Sequence, residues 1–229
     1  MESNRHMEKP RVIVFDVYET LLGMDEMERR INTLTDSIRG YTIWFEIFMQ
    51  YCFVSNSLDN YYDFMSIAKA SLQITGAKLG KKISGDDAAN LLDLLKHLPV
   101  LEEVPSCLSE LNDEGYIIIA LTNAPERIVC DRMERTGLVS YFQNVLSAEK
   151  VKKYKPEKKV YEWAAKKMDV ATSEMLMVTS HAWDIAGAAN AGMKTAFLKK
   201  DKGQLPALFP QPDLSCTQLS ELVSILKNK

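Results

Sequence analysis

Hydrophobic positions along the chain fall into two regimes. Residues 12–15, Val-Ile-Val-Phe, form an uninterrupted apolar run, the pattern of a short strand covered on both faces in a parallel sheet. The run stops at Asp16, so the predicted strand delivers a carboxylate to its C-terminal tip, the edge at which open α/β sheets bind ligands. From Leu101 onward similar runs return at Tyr116–Leu121, Asn144–Ser147, Met175–Val178 and Thr195–Leu198. Helical stretches separate them: Leu101–Glu114 closed by Gly115, a helix from Pro125 to Gly137, one from Pro156 through Tyr161, Trp163, Ala164 and Met168, and small-residue Ala186–Ala191 before Gly192. A last amphipathic helix is predicted over Thr217–Leu226. Alternation of this kind predicts βαβ units and one parallel sheet.

Between these regions the period is helical. Residues 24–97 carry no strand pattern and are broken at Gly76, Gly80 and Gly85. Tyr41, Trp44, Phe45, Phe48 and Cys52 recur at i, i+3, i+4, i+7 and i+11, one stripe of a helix over Tyr41–Val54. Ile43, Ile47, Tyr51 and Phe53 make the other face apolar too, which predicts a helix covered on both sides. The plain reading of the stripe is core packing; the functional one is a roof over Asp16. Asp86–Leu98 reads as the last helix of this unit, stopped by Pro99. The organisation predicted is a helical insertion, residues 24–97, within an α/β domain made of residues 11–23 and 98–229.

Composition removes several function classes. At 46% hydrophobic content the chain can bury a sizeable core, and a net charge of −3 does not suit a nucleic-acid surface. Cys52, Cys107, Cys130 and Cys216 are widely spaced with no C-x-x-C pair, which favours reduced thiols in a cytoplasmic protein over zinc or redox work. Residues 1–10 are polar, so no signal peptide is expected, and no apolar stretch reaches the length of a membrane span.

Two further strand tips converge with Asp16. Thr122-Asn123 follows Tyr116–Leu121 and precedes Pro125; Thr-Asn-Ala-Pro is a good turn and cap, and the N-terminus of the helix that follows favours an anion. The exit of Met175–Val178 carries Thr179, Ser180, His181, Ala182, Trp183 and Asp184. Between them lies a lysine-rich run, Lys150, Lys152, Lys153, Lys155, Lys158 and Lys159, and such runs are usually solvated faces.

The sequence Asp16-Val17-Tyr18-Glu19-Thr20-Leu21 resembles the first motif of the haloacid dehalogenase superfamily, whose members use the first Asp as a nucleophile. Superfamily phosphatases carry a second Asp two positions on as general acid; here that position is Tyr18, as in the 2-haloacid dehalogenases, whose halide leaving group needs no proton. Thr122 matches the second motif, a Ser or Thr that holds an anionic group of the substrate. Lys155-Pro156 with Tyr161 is similar to the third, and Val178–Asp184 resembles the dehalogenase fourth motif, usually Ser, Ser, Asn, Ala, Trp, Asp.

The resemblance implies a Rossmann-like α/β core with a helical cap inserted after the first strand. It implies hydrolytic conversion of short (S)-2-haloalkanoic acids to (R)-2-hydroxy acids through an ester on Asp16. Lys155 would neutralise Asp16 and, with Thr122, hold the substrate carboxylate. Asp184 would assist the hydrolytic water, Asn123 and a cap arginine would receive the halide, Tyr18 and Trp183 would form the apolar wall, Thr20 would orient Asp16, and Tyr161 would stand behind Lys155. Arg39 is the first choice for that arginine, with Arg29 and Arg30 as alternatives. Asp16 and Asp184 without a further acid make a poor site for a hard cation, so no metal or other cofactor is expected. The expected partner is a small 2-haloacid, with no nucleic acid and no membrane; a homodimer is left open. Two positions depart from the family loop, Thr179 in place of Ser and His181 in place of Asn. His181 reads either as an imidazole that meets the hydrolytic water in its neutral form or as an outward-facing loop residue. The alternatives are a phosphatase of a small metabolite, separated by Mg²⁺ dependence, and a catalytically idle carboxylate- or partner-binding protein.

Overall fold

A computed structural model describes residues 8–199 and 205–228; residues 1–7 of the polar N-terminal stretch lie outside the described residues. Six strands form one parallel sheet in the order β3-β2-β1-β4-β5-β6, with β1 Val12–Phe15, β2 Ile117–Thr122, β3 Asn144–Ser147, β4 Met175–Thr179, β5 Lys194–Leu198 and β6 Leu214–Cys216. The continuous apolar run at Val12–Phe15 is explained by its place: β1 is central, and all four side chains are fully buried. Ile13 and Phe15 face one apolar layer with Ile118, Ala120, Leu176 and Val178, while Val12 and Val14 face the other with Ile119, Leu121, Met175 and Met177. Alternate side chains of a strand point to opposite faces, so a strand with helices on both sides needs apolar residues at every position.

The stretch between β1 and β2 is helical, with α1 Asp25–Thr35, α2 Gly40–Ser57, α3 Phe64–Lys78 and α4 Gly85–Leu92. The remaining helices are α5 Val104–Asp113, α6 Glu126–Arg135, α7 Lys158–Met168, α8 Ala182–Asn190 and α9 Leu219–Lys227. Buried Tyr41, Trp44 and Phe48 of α2 and Phe64 of α3 are continuous with the apolar layer of Phe15 and Val17, so the insertion closes directly onto the tip of β1. Trp44 satisfies its indole N–H within this layer by donating to Ala68 O at 3.1 Å. A clasp holds α2 to the segment before Lys155: Asn56 Nδ2 donates to Tyr154 O (2.7 Å), Asn56 Oδ1 accepts from Tyr154 N (2.9 Å), and Tyr154 donates its hydroxyl to Tyr62 O (2.6 Å).

Four details differ from the expectation. Helix α8 begins at Ala182, four residues early, which puts Asp184 in its first turn. Strand β6 extends the sheet edge, although Leu-Ser-Cys is too short to show a period. The last helix of the insertion stops at Leu92 and continues as a 3₁₀ turn, Asp93–Lys96. The second face of α2 is only partly covered, with Tyr51 44% exposed. Among the described residues no helix is long and apolar enough to cross a membrane.

Candidate active site

The parallel sheet brings its strand tips to one edge, and the predicted residues meet there. Asp16 leaves β1, Thr122 ends β2, Thr179 ends β4, and His181 is the residue before α8. Lys155 reaches the same point from the loop before α7. Helix α8 can come this close because Gly187 has no side chain: a Cβ there would lie 2.5 Å from Pro156 Cβ and 2.6 Å from the Tyr161 hydroxyl.

Lys155 is fully buried, unlike the exposed Lys150, Lys152, Lys158 and Lys159 and the half-buried Lys153, and all three of its N–H groups are taken. Its Nζ donates to Asp16 Oδ1 at 2.8 Å, to Asp184 Oδ2 at 2.7 Å and to Leu121 O at 3.0 Å. The other oxygen of Asp184 accepts from the Tyr161 hydroxyl at 2.6 Å. Asp16 Oδ2 faces His181 Nδ1 at 2.9 Å and lies near the hydroxyls of Thr20 (3.3 Å) and Thr179 (3.5 Å). The far nitrogen of the imidazole, Nε2, is 2.8 Å from Glu19 Oε2, and the second oxygen of Glu19 accepts from the Tyr41 hydroxyl at 2.6 Å. The ring itself is stacked between Phe45 and Trp183, with centroids at 5.6 and 4.9 Å.

Three carboxylates and two cations therefore share one largely buried space. Burial opposes ionisation of Asp16, but the Lys155 charge and the His181 hydrogen bond outweigh it and hold the carboxyl well below the usual range. Asp184 goes the other way, pushed up by burial and by Asp16 against the pull of Lys155. Burial also works against the His181 cation, yet the bonds to Asp16 and Glu19 win and push its pKa up to about 9. Lys155 stays charged because Asp16 and Asp184 overcome its desolvation. The Tyr18 hydroxyl is buried without a hydrogen-bond partner, and burial together with Asp16 raises its pKa, so it stands as an unused neutral donor.

A cavity of about 40 Å³ opens on Asp16. At roughly 10–15 Å³ per water it has room for about three waters. Its polar wall includes Tyr18, Glu19, Thr122, Asn123, Lys155 and His181; Tyr41, Trp44, Phe45, Phe48, Phe64 and Trp183 cover it, so the aromatic stripe of α2 packs and roofs at once.

Several expected site residues are placed differently. Arg39 precedes α2 on its exposed side, Arg29 and Arg30 are tied to Glu26 on the surface, and among the described residues no arginine lines the cavity. Asn123 lines it, and its amide also braces the Lys155 backbone, accepting from N at 2.7 Å and donating one of its two N–H groups to O at 3.4 Å. Asp184, expected beside the hydrolytic water, stands behind Lys155 instead; Tyr161 behind Lys155 and Thr20 on Asp16 occupy the positions that the resemblance implies, outside the cavity wall. His181 faces inward, and neither of its ring nitrogens is free to meet a water in the neutral form. Glu19, passed over as a spacer in the first motif, is the residue that the sequence reading missed; an acid three positions after the nucleophile was the available signal.

Comparison with known proteins finds relatives of this chain. A family model described as haloacid dehalogenase-like hydrolase matches residues 10–192. The chain is 27% identical over 218 residues to the (S)-2-haloacid dehalogenase of Pseudomonas sp. (strain YL), covering 94% of each protein. Among solved structures it is similar in fold to an L-2-haloacid dehalogenase with a TM-score of 0.89 at 22% identity, over 96% of this chain and 99% of that one. A second such enzyme, from Xanthobacter autotrophicus with chloropropionic acid covalently bound, superposes with a TM-score of 0.86 at 20% identity over 95% and 98%.

Proposed function

The chain belongs to the haloacid dehalogenase-like hydrolases, and from that premise we propose that it is a metal-independent hydrolytic dehalogenase of short (S)-2-haloalkanoic acids. The observation that carries the proposal is Asp16 at the tip of β1, ionised by Lys155 at 2.8 Å and followed by Tyr18 where a phosphatase needs a second acid. A halide leaves without a proton, whereas the phenol of Tyr18, its pKa pushed further up, is a poor acid for an alkoxide.

In the proposed reaction an oxygen of Asp16 attacks the halogen-bearing carbon in line. A carbon–oxygen bond forms, the carbon–halogen bond breaks, and halide departs with the electron pair. Water then attacks the Asp16 carbonyl carbon and the acyl–oxygen bond breaks. The hydroxy acid leaves with the original Asp16 oxygen and one water proton; the other proton passes to solvent. One attack at the substrate carbon inverts it, giving the (R)-2-hydroxy acid. Lys155 keeps Asp16 ionised before the first step, and Asp184 and Tyr161 hold Lys155 in place. The neutral hydroxyls of Tyr18 and Thr122 receive the substrate carboxylate, Thr20 orients Asp16, and the aromatic cover excludes water and surrounds the halide. Asp184, both of whose oxygens are engaged by Lys155 and Tyr161, acts on the reaction through Lys155.

The donor set does not suit a divalent ion, because an ammonium group already stands between the two carboxylates that such an ion would bridge. The division into a core (11–23 and 98–229) and a cap (24–97) is proposed on the same basis, the cap roofing the cavity from α2 and α3. The cytoplasm is the proposed place of action, where all four thiols stay reduced.

A single turnover in ¹⁸O-water with 2-chloro- and 2-bromopropionate tests the reading. Halide release with label retained in Asp16 is expected, and Asp16→Asn should abolish release. Label appearing directly in the hydroxy acid would show that water attacks the carbon, and phosphate release without halide release would favour the phosphatase.

A further inference from the structure

We propose that His181 acts as an imidazolium that donates Nδ1–H to the Asp16 carbonyl oxygen while water opens the ester, and that Glu19 is the positioning residue that keeps it cationic. The chemical part rests on the dehalogenation reading; the charge state of the pair does not.

The charge state follows from geometry. A neutral imidazole has one N–H, yet both nitrogens of His181 lie at hydrogen-bond distance from carboxylate oxygens, Asp16 Oδ2 at 2.9 Å and Glu19 Oε2 at 2.8 Å. Only the doubly protonated ring gives each carboxylate a donor. The groups that face the ring are Asp16 from the tip of β1 and Glu19 from the loop after it. Beyond them stand Tyr41 of α2, bonded to Glu19, and Lys155 and Asp184 on the far side of Asp16. Phe45 and Trp183 cover the two ring faces and fix its orientation.

The reaction makes Glu19 necessary. When Asp16 becomes an ester it loses its charge, and His181 loses one of its two counter-ions while still buried. Glu19 alone then opposes the desolvation that would strip the proton from the ring. The oxygens of Asp16 are also unequal: Oδ2 has His181, Thr20 and Thr179 around it, whereas Oδ1 has Lys155. The less encumbered Oδ1 forms the bond to substrate, leaving Oδ2 as the carbonyl oxygen. Attack by water places negative charge on Oδ2, where the imidazolium N–H already points, the arrangement of an oxyanion donor. No bond to His181 forms or breaks, and its proton stays on the ring. The backbone of Glu19, at φ 60°, lies in the left-handed region that glycine adopts without strain, so an acid is held there against a local preference.

Histidine Cε1–H NMR titration tests the pair first, since the chain has only His6, His97 and His181. In the wild type the His181 signal should remain that of an imidazolium through pH 8, with its midpoint near 9. Glu19→Gln keeps a hydrogen-bond acceptor but removes the charge, and should lower the midpoint by at least about one pH unit, a tenfold change in proton affinity. Rapid-quench kinetics with 2-bromopropionate then separates halide release from ester hydrolysis. Ester hydrolysis should fall as pH rises through the His181 midpoint of the ester form, which lies below the free-enzyme one because Asp16 has lost its charge; the fall should move lower still in Glu19→Gln and should not occur in His181→Asn. An unmoved NMR midpoint in Glu19→Gln overturns the pair, and an ester-hydrolysis profile unchanged by either variant overturns the oxyanion role. Absence of halide release from the wild type would sink the dehalogenation reading and the oxyanion role with it, while the titration still decides the pair.

Discussion

Replacing Lys155 by Met keeps most of the stem volume and removes the ammonium group, together with three hydrogen bonds to Asp16, Asp184 and Leu121 O. Lys155 and Asp184 are fully buried and Asp16 nearly so, so only the few waters that fit the cavity can approach the place of the lost charge. Breaking a buried ion pair from one side costs about 3–5 kcal/mol. At roughly 2–4 °C per kcal/mol for a chain of this size, the melting temperature at neutral pH should fall by about 6–20 °C. The loss has a pH signature. Two carboxylates left face to face cannot both ionise cheaply, so one acquires a raised pKa and binds a proton that the unfolded chain releases. The folded variant then holds more protons than the unfolded one between the ordinary carboxylate value and the raised one, and its stability falls as pH rises through that interval. In the wild type the depressed Asp16 works in the opposite sense: its contribution is present above the ordinary carboxylate pKa and is lost as pH falls. His181, raised to about 9, contributes stability that fades as pH climbs from about 6.5 through 9 in both proteins, so the difference between them isolates Lys155. Calorimetric scans from pH 5 to 8 should show the gap between wild type and Lys155→Met widening with pH. A variant that melts within 2 °C of the wild type at every pH, a shift of no more than about 1 kcal/mol, would refute Lys155 as the counter-ion of a buried carboxylate pair.

Three further outcomes are expected. Prolonged EDTA treatment should leave halide release unchanged, because Lys155 occupies the place between Asp16 and Asp184; activity lost to chelation and restored by Mg²⁺ would contradict this. Phe48 lines the cavity and packs against Trp44 and Phe64; Phe48→Leu should shift the kcat/KM ratio toward longer 2-haloacids by about tenfold, within the 1–3 kcal/mol that one methylene is worth in a tight pocket, and an unchanged chain-length profile would place the specificity elsewhere. Asn56→Ala leaves Tyr154 N and O without their partners on α2 and should lower unfolding free energy by about 1–3 kcal/mol; urea titration giving the wild-type value would show that the clasp contributes nothing.

What could be read from the sequence was whatever a local pattern encodes. Val12–Phe15 is apolar at every position because it is the central strand, so both its existence and the chemistry at its tip were visible. Tyr41, Trp44 and Phe48 repeat at helical spacing because they fill one layer, and that spacing survives in the sequence. The start of α8 was hidden because Ser180-His181-Ala182-Trp183 has neither an apolar period nor a side-chain cap. Arg39 looked well placed beside the aromatic helix, but the helical phase that buries Tyr41 and Trp44 leaves Arg39 outside. The pairing of Glu19 with His181 joins positions 162 residues apart, and no local period records it. That Asn123 braces the backbone of Lys155, 32 residues away, leaves no trace in its own neighbourhood.

The clasp of Asn56 on Tyr154 has a mechanical consequence. The helix that carries Tyr41, Trp44, Phe45 and Phe48 over the cavity is the one that grips, through Asn56, the chain neighbour of Lys155. Shield and counter-ion thus hang on a single beam, and the fastening that steadies one steadies the other.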